Sequence, residues 1–210
     1  MIQRFTVGLV LAISLLACSH ARVNMSMKDT AVHADDYSAA LTHWTRGKRV
    51  YENVESRLFV KATLRSWAFR QSQIAYQKKR EGLHPSDVET LKADNRKEAE
   101  QWIEFFVAAH THEWYWNRLE NQSKDALWRI RLLNDKGIAI SPSRINRLGS
   151  DDPKYRILYP FFQDFYVAYR IRFPLKDAEG QEIAGKGVSK LTLRIGGSPA
   201  IVNLNWDLTQ

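Results

Sequence analysis

Cysteine is nearly absent from this chain: Cys18 is the only one in 210 residues. No disulfide can form within the chain, so stability must come from a packed core. Six prolines and ten glycines are also few, which excludes collagen-like and low-complexity classes. Long apolar runs are missing. The longest, residues 5–16, is broken by Thr6, Gly8 and Ser14 and falls short of the roughly 20 apolar residues that a spanning helix needs. Catalytic signatures are missing as well. There is no Gly-x-Ser-x-Gly, Ser-x-x-Lys or His-Glu-x-x-His, and Gly196-Gly197-Ser198 has no following helix to make a phosphate loop. Acidic residues are outnumbered, 23 Asp and Glu against 31 Lys and Arg, giving a formal net charge of +8 and a pI near 9.6.

What is present begins with the N-terminal segment. Arg4 precedes the apolar run 5–16, the layout of a signal peptide. The run ends in Leu15-Leu16-Ala17-Cys18, which resembles a bacterial lipobox. That resemblance implies that residues 1–17 are removed, that Cys18 is acylated, and that the chain's first partner is a lipid bilayer. Ser19 in place of Asp implies the outer membrane of a Gram-negative bacterium. Residues 18–34 are polar and without period, and read as a lipidated N-terminus with a flexible tether. An exported protein rarely meets nucleic acid, and no binding motif for it accompanies the charge. The basic balance instead suits anionic envelope polymers and lipid headgroups.

From residue 35 to 210 the composition, 44% hydrophobic and 26% charged overall, is that of a globular domain. Acidic residues before Tyr37 and Gly47 after Trp44 suggest a short helix. Residues 55–65 alternate, with Leu58, Val60, Ala62 and Leu64 on one face, the period of a half-buried strand. Residues 66–102 change to helix formers, with breaks at Gly82 and Pro85. They read as a helical hairpin inserted between strands, a decoration without a core of its own. Residues 105–116 read as one long strand. Trp128, Ile130 and Leu132 alternate, as do Leu191, Leu193 and Ile195, and then Val202, Leu204, Trp206 and Leu208. The clearest strand is 165–173, where Phe165, Val167, Tyr169, Ile171 and Phe173 share one face, and it is expected to be central. Seven or eight short strands with turns between them predict a mainly β fold, an antiparallel immunoglobulin-like β-sandwich with the inserted hairpin.

Two sets of residues carry candidate chemistry. His110 and His112, at i and i+2 on a strand, would share a face as zinc ligands do in some β-enzymes; Glu113 would point the other way. The plainer reading is two polar residues on a sheet face, and no metal or other cofactor is expected. Arg129, Arg131, Arg170, Arg172 and Arg194 fall on the outward phase of strands. Three of them on one face would make a surface for phosphate or carboxylate.

The runs 55–63, 104–108 and 169–174 are similar to those of uncharacterised envelope lipoproteins of Gram-negative bacteria, a resemblance that implies one sandwich-like domain and no particular activity. The expected function is therefore a non-enzymatic binding or scaffolding domain anchored in the outer membrane, meeting an envelope protein or an anionic polymer. The alternative is a metal-dependent hydrolase using His110 and His112.

Overall fold

The computed structural model describes residues 21–149 and 152–209, so the signal-like segment and Cys18 lie outside the described residues. The fold is mainly β, with ten strands and four α-helices among the described residues. One sheet has the order β1 (Val23–Asn24), β10 (Ala200–Thr209), β9 (Lys190–Gly197), β5 (Trp128–Asn134), β6 (Ala139–Ile140). The other runs β2 (Thr45–Glu52), β3 (Glu55–Leu64), β4 (Trp102–His110), β8 (Val167–Pro174), β7 (Arg144–Arg147). Only β1 pairs parallel, with β10; the other pairings are antiparallel.

The alternation read from the sequence explains where the core lies. In β10, Val202, Leu204, Trp206 and Leu208 are buried while Ile201, Asn203 and Asn205 are exposed. The two sheets meet through rings such as Phe105 and Trp206, 5.2 Å apart, and within the second sheet Phe105 also meets Phe173 edge to face at 5.9 Å. The buried indoles find acceptors, as apolar surroundings require. Trp206 Nε1 donates to the Trp44 carbonyl and Trp128 Nε1 to the Trp116 carbonyl.

Helices α1 (Tyr37–Trp44), α2 (Trp67–Glu81) and α3 (Pro85–Gln101) stand where the sequence places them. The Ser66 hydroxyl accepts from the Phe69 amide, and Gly82 closes α2 at φ 64°, a left-handed C-terminal cap that glycine adopts without strain. Pro85 opens α3. Helices α2 and α3 join β3 to β4, which are neighbours in one sheet. They are more than a decoration, however. Trp67 and Phe69 are fully buried, and Phe69 packs on Tyr37 and Tyr159 with ring centres 6.0 and 6.4 Å apart. They cover the outer face of the second sheet as a further layer.

Three other expectations need correction. From Ala21 onward the supposed tether belongs to the domain. Val23 is fully buried opposite Leu208. Asp29 binds Lys92, Arg96 and the Trp67 indole, because its carboxylate meets a basic face of α3. The strand expected over 105–116 runs from Trp102 to His110 and stops there. Thr111 Oγ1 bonds the Glu113 carbonyl and Asn117 Nδ2 bonds the Ala109 carbonyl, turning the chain into a short 3-10 helix at Trp114–Trp116. The strand expected from residue 165 begins at Val167, and Phe165 is 81% exposed; it is central, paired with both β4 and β7. A further helix, α4 (Pro153–Leu158), starts where Asp152 caps the Lys154 amide and Pro153 takes the first position.

Candidate anion-binding pocket

Strand register brings charge to the outer face of the second sheet. The Arg65 amide bonds the Glu104 carbonyl, Glu104 lies opposite Arg172, and Arg172 opposite Arg144. In the next row Thr63 neighbours Phe106, which neighbours Arg170. Each of these alternates with the inward Phe105 and Ile171. Helix α2 lays Arg70, fully buried, over the first row, and α3 adds Glu98 and Asn95.

Glu104 is 0% exposed. Its Oε1 accepts from Arg65 Nη1 and its Oε2 from Arg172 Nε at 2.6 Å. Arg70 Nη2 lies 3.2 Å from Oε1 but makes no hydrogen bond in line. Glu98 bridges Arg70 Nη1 at 2.9 Å and Arg172 Nη2 at 2.6 Å. Asn95 Oδ1 also accepts from Arg70 Nη1, at 3.0 Å. Burial pushes the Glu104 carboxyl up, yet the surrounding guanidinium groups of Arg65, Arg70 and Arg172 outweigh it and bring it down to about 2. Arg70 moves down to about 10, through burial and the repulsion of Arg65. A buried charge persists only when paired, and here three guanidinium groups share two carboxylates.

Beside this network lies a cavity of about 340 Å³ between the sheet, α2, α3 and α4. Arg65, Arg170 and Lys154 with Asp94, Glu98 and Asp152 make up its charged lining, Gln73, Asn95 and Tyr159 add polar groups, and Leu91, Phe106, Leu148 and Leu158 are apolar. Tyr159 is held flat on Phe106, ring centres 3.6 Å apart and 4° from parallel. Burial raises its hydroxyl above the ordinary phenol value, so at neutral pH it is a hydrogen-bond donor and not a charge. Arg170 Nη2 reaches only the Tyr155 hydroxyl at 3.4 Å, and among the described residues it has no carboxylate partner. Two buried polar atoms of the lining, Arg65 Nε and Gln73 Oε1, have no hydrogen-bond partner, which is uncommon enough to need a reason. The pocket thus offers unused donors on cationic groups together with one unused acceptor.

The five arginines singled out from the sequence do not form one surface. Arg129, Arg131 and Arg194 lie on the outer face of the first sheet, Arg131 opposite Arg194. There Arg129 donates to the Ser123 and Lys124 carbonyls and Arg194 Nε to Asn203 Oδ1 at 2.9 Å. Arg170 and Arg172 belong to the second sheet, and Arg172 is engaged by Glu98 and Glu104. Arg170 alone of the five faces the cavity uncommitted.

His110 and His112 do not sit as a strand pair, since β4 stops at His110. His110 Nδ1 lies 2.9 Å from the Phe165 carbonyl, and His112 is exposed beyond the strand. Among the described residues no group of three or more His, Cys, Asp or Glu is placed to hold a metal ion.

Sequence reasoning passed over Arg65, Arg70, Gln73, Glu98 and Glu104. One signal was available: Glu104 is the sole charge within the apolar run 102–109, and a carboxylate inside such a strand implies buried cations nearby. Comparison with protein-family models, with curated proteins and with solved structures finds no match to the chain.

Proposed function

We propose that this chain is a bacterial envelope lipoprotein, anchored in the outer membrane through acylated Cys18, whose domain binds a small anionic ligand without transforming it. The lipobox-like end of the apolar run 5–16 and the lone cysteine support the anchor. The scaffold in this reading is an immunoglobulin-like antiparallel sandwich with α2 and α3 inserted between the neighbouring strands β3 and β4. Fold alone does not assign a ligand; the cavity is what supports one.

One observation carries the binding reading: at a cavity lined by Arg65, Arg170 and Lys154 with Asp94, Glu98 and Asp152, Arg170 has no carboxylate partner among the described residues and the buried Arg65 Nε and Gln73 Oε1 lack hydrogen-bond partners. The Arg170 guanidinium without a counter-ion and the unpartnered Arg65 Nε favour carboxylate or phosphate. The unused Gln73 acceptor favours a ligand that also donates a hydrogen bond. A volume of about 340 Å³ suits a compact molecule, near the lower end of ligand pockets. An amino acid with a second carboxylate has this chemistry.

The test is calorimetric titration of the full chain with L-glutamate and with inorganic phosphate. Saturable binding is expected, stronger for glutamate. Arg170→Gln should weaken it at least tenfold while leaving the Glu104 ion pairs in place. Absence of binding by both probes, or unchanged binding in the variant, refutes the reading.

A further inference from the structure

Large apolar side chains left in water collect at one end of the two sheets. The β2–β3 turn carries Val54, 95% exposed, and the loop after β4 carries Trp114, 83% exposed, followed by exposed Tyr115. Phe165 stands just before β8. Register shows that these positions share an end. Arg49 lies opposite Phe59 and Phe59 opposite His110; the His110 and Phe165 rings are 6.4 Å apart. Trp128 pairs with Gly197 at the β9–β10 turn, and its indole bonds the Trp116 carbonyl. The same end therefore includes Ile201, a further exposed aliphatic.

The charge there is mostly positive. Lys48, Arg49, Arg118 and Lys124 are exposed and have no ion pair among the described residues. Of the nearby acids, Glu52 and Glu55 are taken by Arg57, and Asp164 by Arg156. Glu113 and Asp125 remain. The described chain begins toward the other end, where β1 runs parallel to β10 and the Ala21 carbonyl accepts from Arg46, whose Nε donates to the Asn205 carbonyl. Followed toward its N-terminus, β1 points along β10 from Leu208 toward Ile201.

We infer that this end of the domain docks on an anionic bilayer surface, with Trp114, Tyr115, Phe165 and Val54 in the headgroup region and Lys48, Arg49, Arg118 and Lys124 against lipid phosphates. Aromatic rings that are apolar at one side and polar at the other settle at this depth. Basic side chains near the surface each add attraction to anionic lipid, and apolar contact supplements what acyl chains contribute. The inference uses the anchored reading only to hold the chain at a membrane. It places the anion pocket, on the outer face of the second sheet, to the side of the docked end.

The experiment reconstitutes the full chain in vesicles of phosphatidylethanolamine and phosphatidylglycerol containing lipids brominated near the headgroup, and reads tryptophan quenching. Trp44, Trp67, Trp128 and Trp206 are buried and Trp102 and Trp116 half-buried, so Trp114, 83% exposed, should supply most of the quenched emission. Trp114→Phe should abolish most of the quenching, and adding Phe165→Trp should restore it. Sedimenting protein that shows no difference between wild type and Trp114→Phe overturns the docking and leaves the anchor standing. Quenching equal on purely phosphatidylcholine vesicles overturns the choice of an anionic surface. Intact mass separates the two ideas from the other side: quenching by a chain unmodified at Cys18 supports docking and refutes the anchor. A chain that fails to sediment with vesicles overturns both.

Discussion

Replacing Glu104 by Gln keeps the side chain's size and removes its charge. Arg65 then has no carboxylate within reach, while Arg70 and Arg172 keep Glu98. Breaking a buried pair from one side typically costs 3–5 kcal/mol, because the partner charge stays buried and uncompensated. Linkage gives a second route to the size. The Glu104 carboxyl moves from 4.5 to about 2 in the fold, and a shift of that size corresponds to about 3 kcal/mol. The two routes agree, and for a domain of this length the loss should lower Tm by roughly 6–12 °C.

The sign of the pH dependence follows from the same shift. The carboxyl is depressed in the folded state, so its stabilisation is complete above the unfolded value of 4.5 and is lost as pH falls toward 2. At pH 3 somewhat more than half of it should be gone, leaving a gap of roughly 1–1.5 kcal/mol between wild type and Glu104→Gln. The carboxyls of Asp29 and Asp35 are also lowered, chiefly by hydrogen bonds from Lys92 and Lys79, but they are exposed and common to both proteins. They cancel in the difference. Urea unfolding of the two proteins at pH 7, 5, 4 and 3 measures it. A gap below about 0.5 kcal/mol at pH 7, or one that does not narrow in acid, refutes the network as described.

Three other outcomes follow from the fold. Ile171→Ala empties a fully buried position in a strand paired on both sides, and should cost about 2–5 kcal/mol in a chemical melt, with β8 amides among the slowest to exchange in the wild type. Replacing residues 68–100 by a short Gly/Ser linker removes Phe69, Arg70 and Glu98, so the far-UV melt should lose its cooperativity; a sharp transition would show that the helical layer is dispensable. Cys18→Ser should abolish labelled fatty-acid incorporation and release the protein from the membrane fraction, and continued labelling would sink the anchor.

Much of the sheet structure could be read locally. Period-2 alternation marked β3, β5, β8, β9 and β10, and Ser66, Gly82 and Pro85 marked the ends of the helices. These signals depend on neighbours a few residues away. The pocket depends on distance in the chain instead. Glu104 meets Arg65 from 39 residues before it and Arg172 from 68 after it, so Arg172, outward by period, turned out to be covered rather than wet. Helix α2 concealed its buried side for a related reason. Arg70, Gln71, Ser72, Gln73 and Gln77 are buried, and a polar buried face does not register as an apolar stripe. Val23 was misjudged because its partner, Leu208, lies at the other end of the chain.

Stability and binding should move in opposite directions when Glu104 is changed, and that separates a ligand site from a purely structural network. In the wild type Arg65, Arg70 and Arg172 share Glu98 and Glu104 beside a cavity whose own charged lining is Arg65, Arg170 and Lys154 with Asp94, Glu98 and Asp152. Glu104→Gln frees Arg65, a cavity-lining residue whose Nε already lacks a partner. The variant is therefore less stable when empty but presents one more uncompensated cation to an anion. Glutamate should bind it more tightly than wild type, by several-fold at least, because the ligand carboxylate replaces the missing counter-charge. Binding only to the folded state also restores stability by mass action, about 2.7 kcal/mol at a ligand concentration 100 times Kd. Saturating glutamate should thus raise the variant's Tm by more degrees than it raises the wild type's. Calorimetric titration and ligand-dependent melts of both proteins give the two numbers. If the variant is destabilised and glutamate affects neither protein, Glu104 and its arginines hold α2 and α3 onto the sheet and do nothing else.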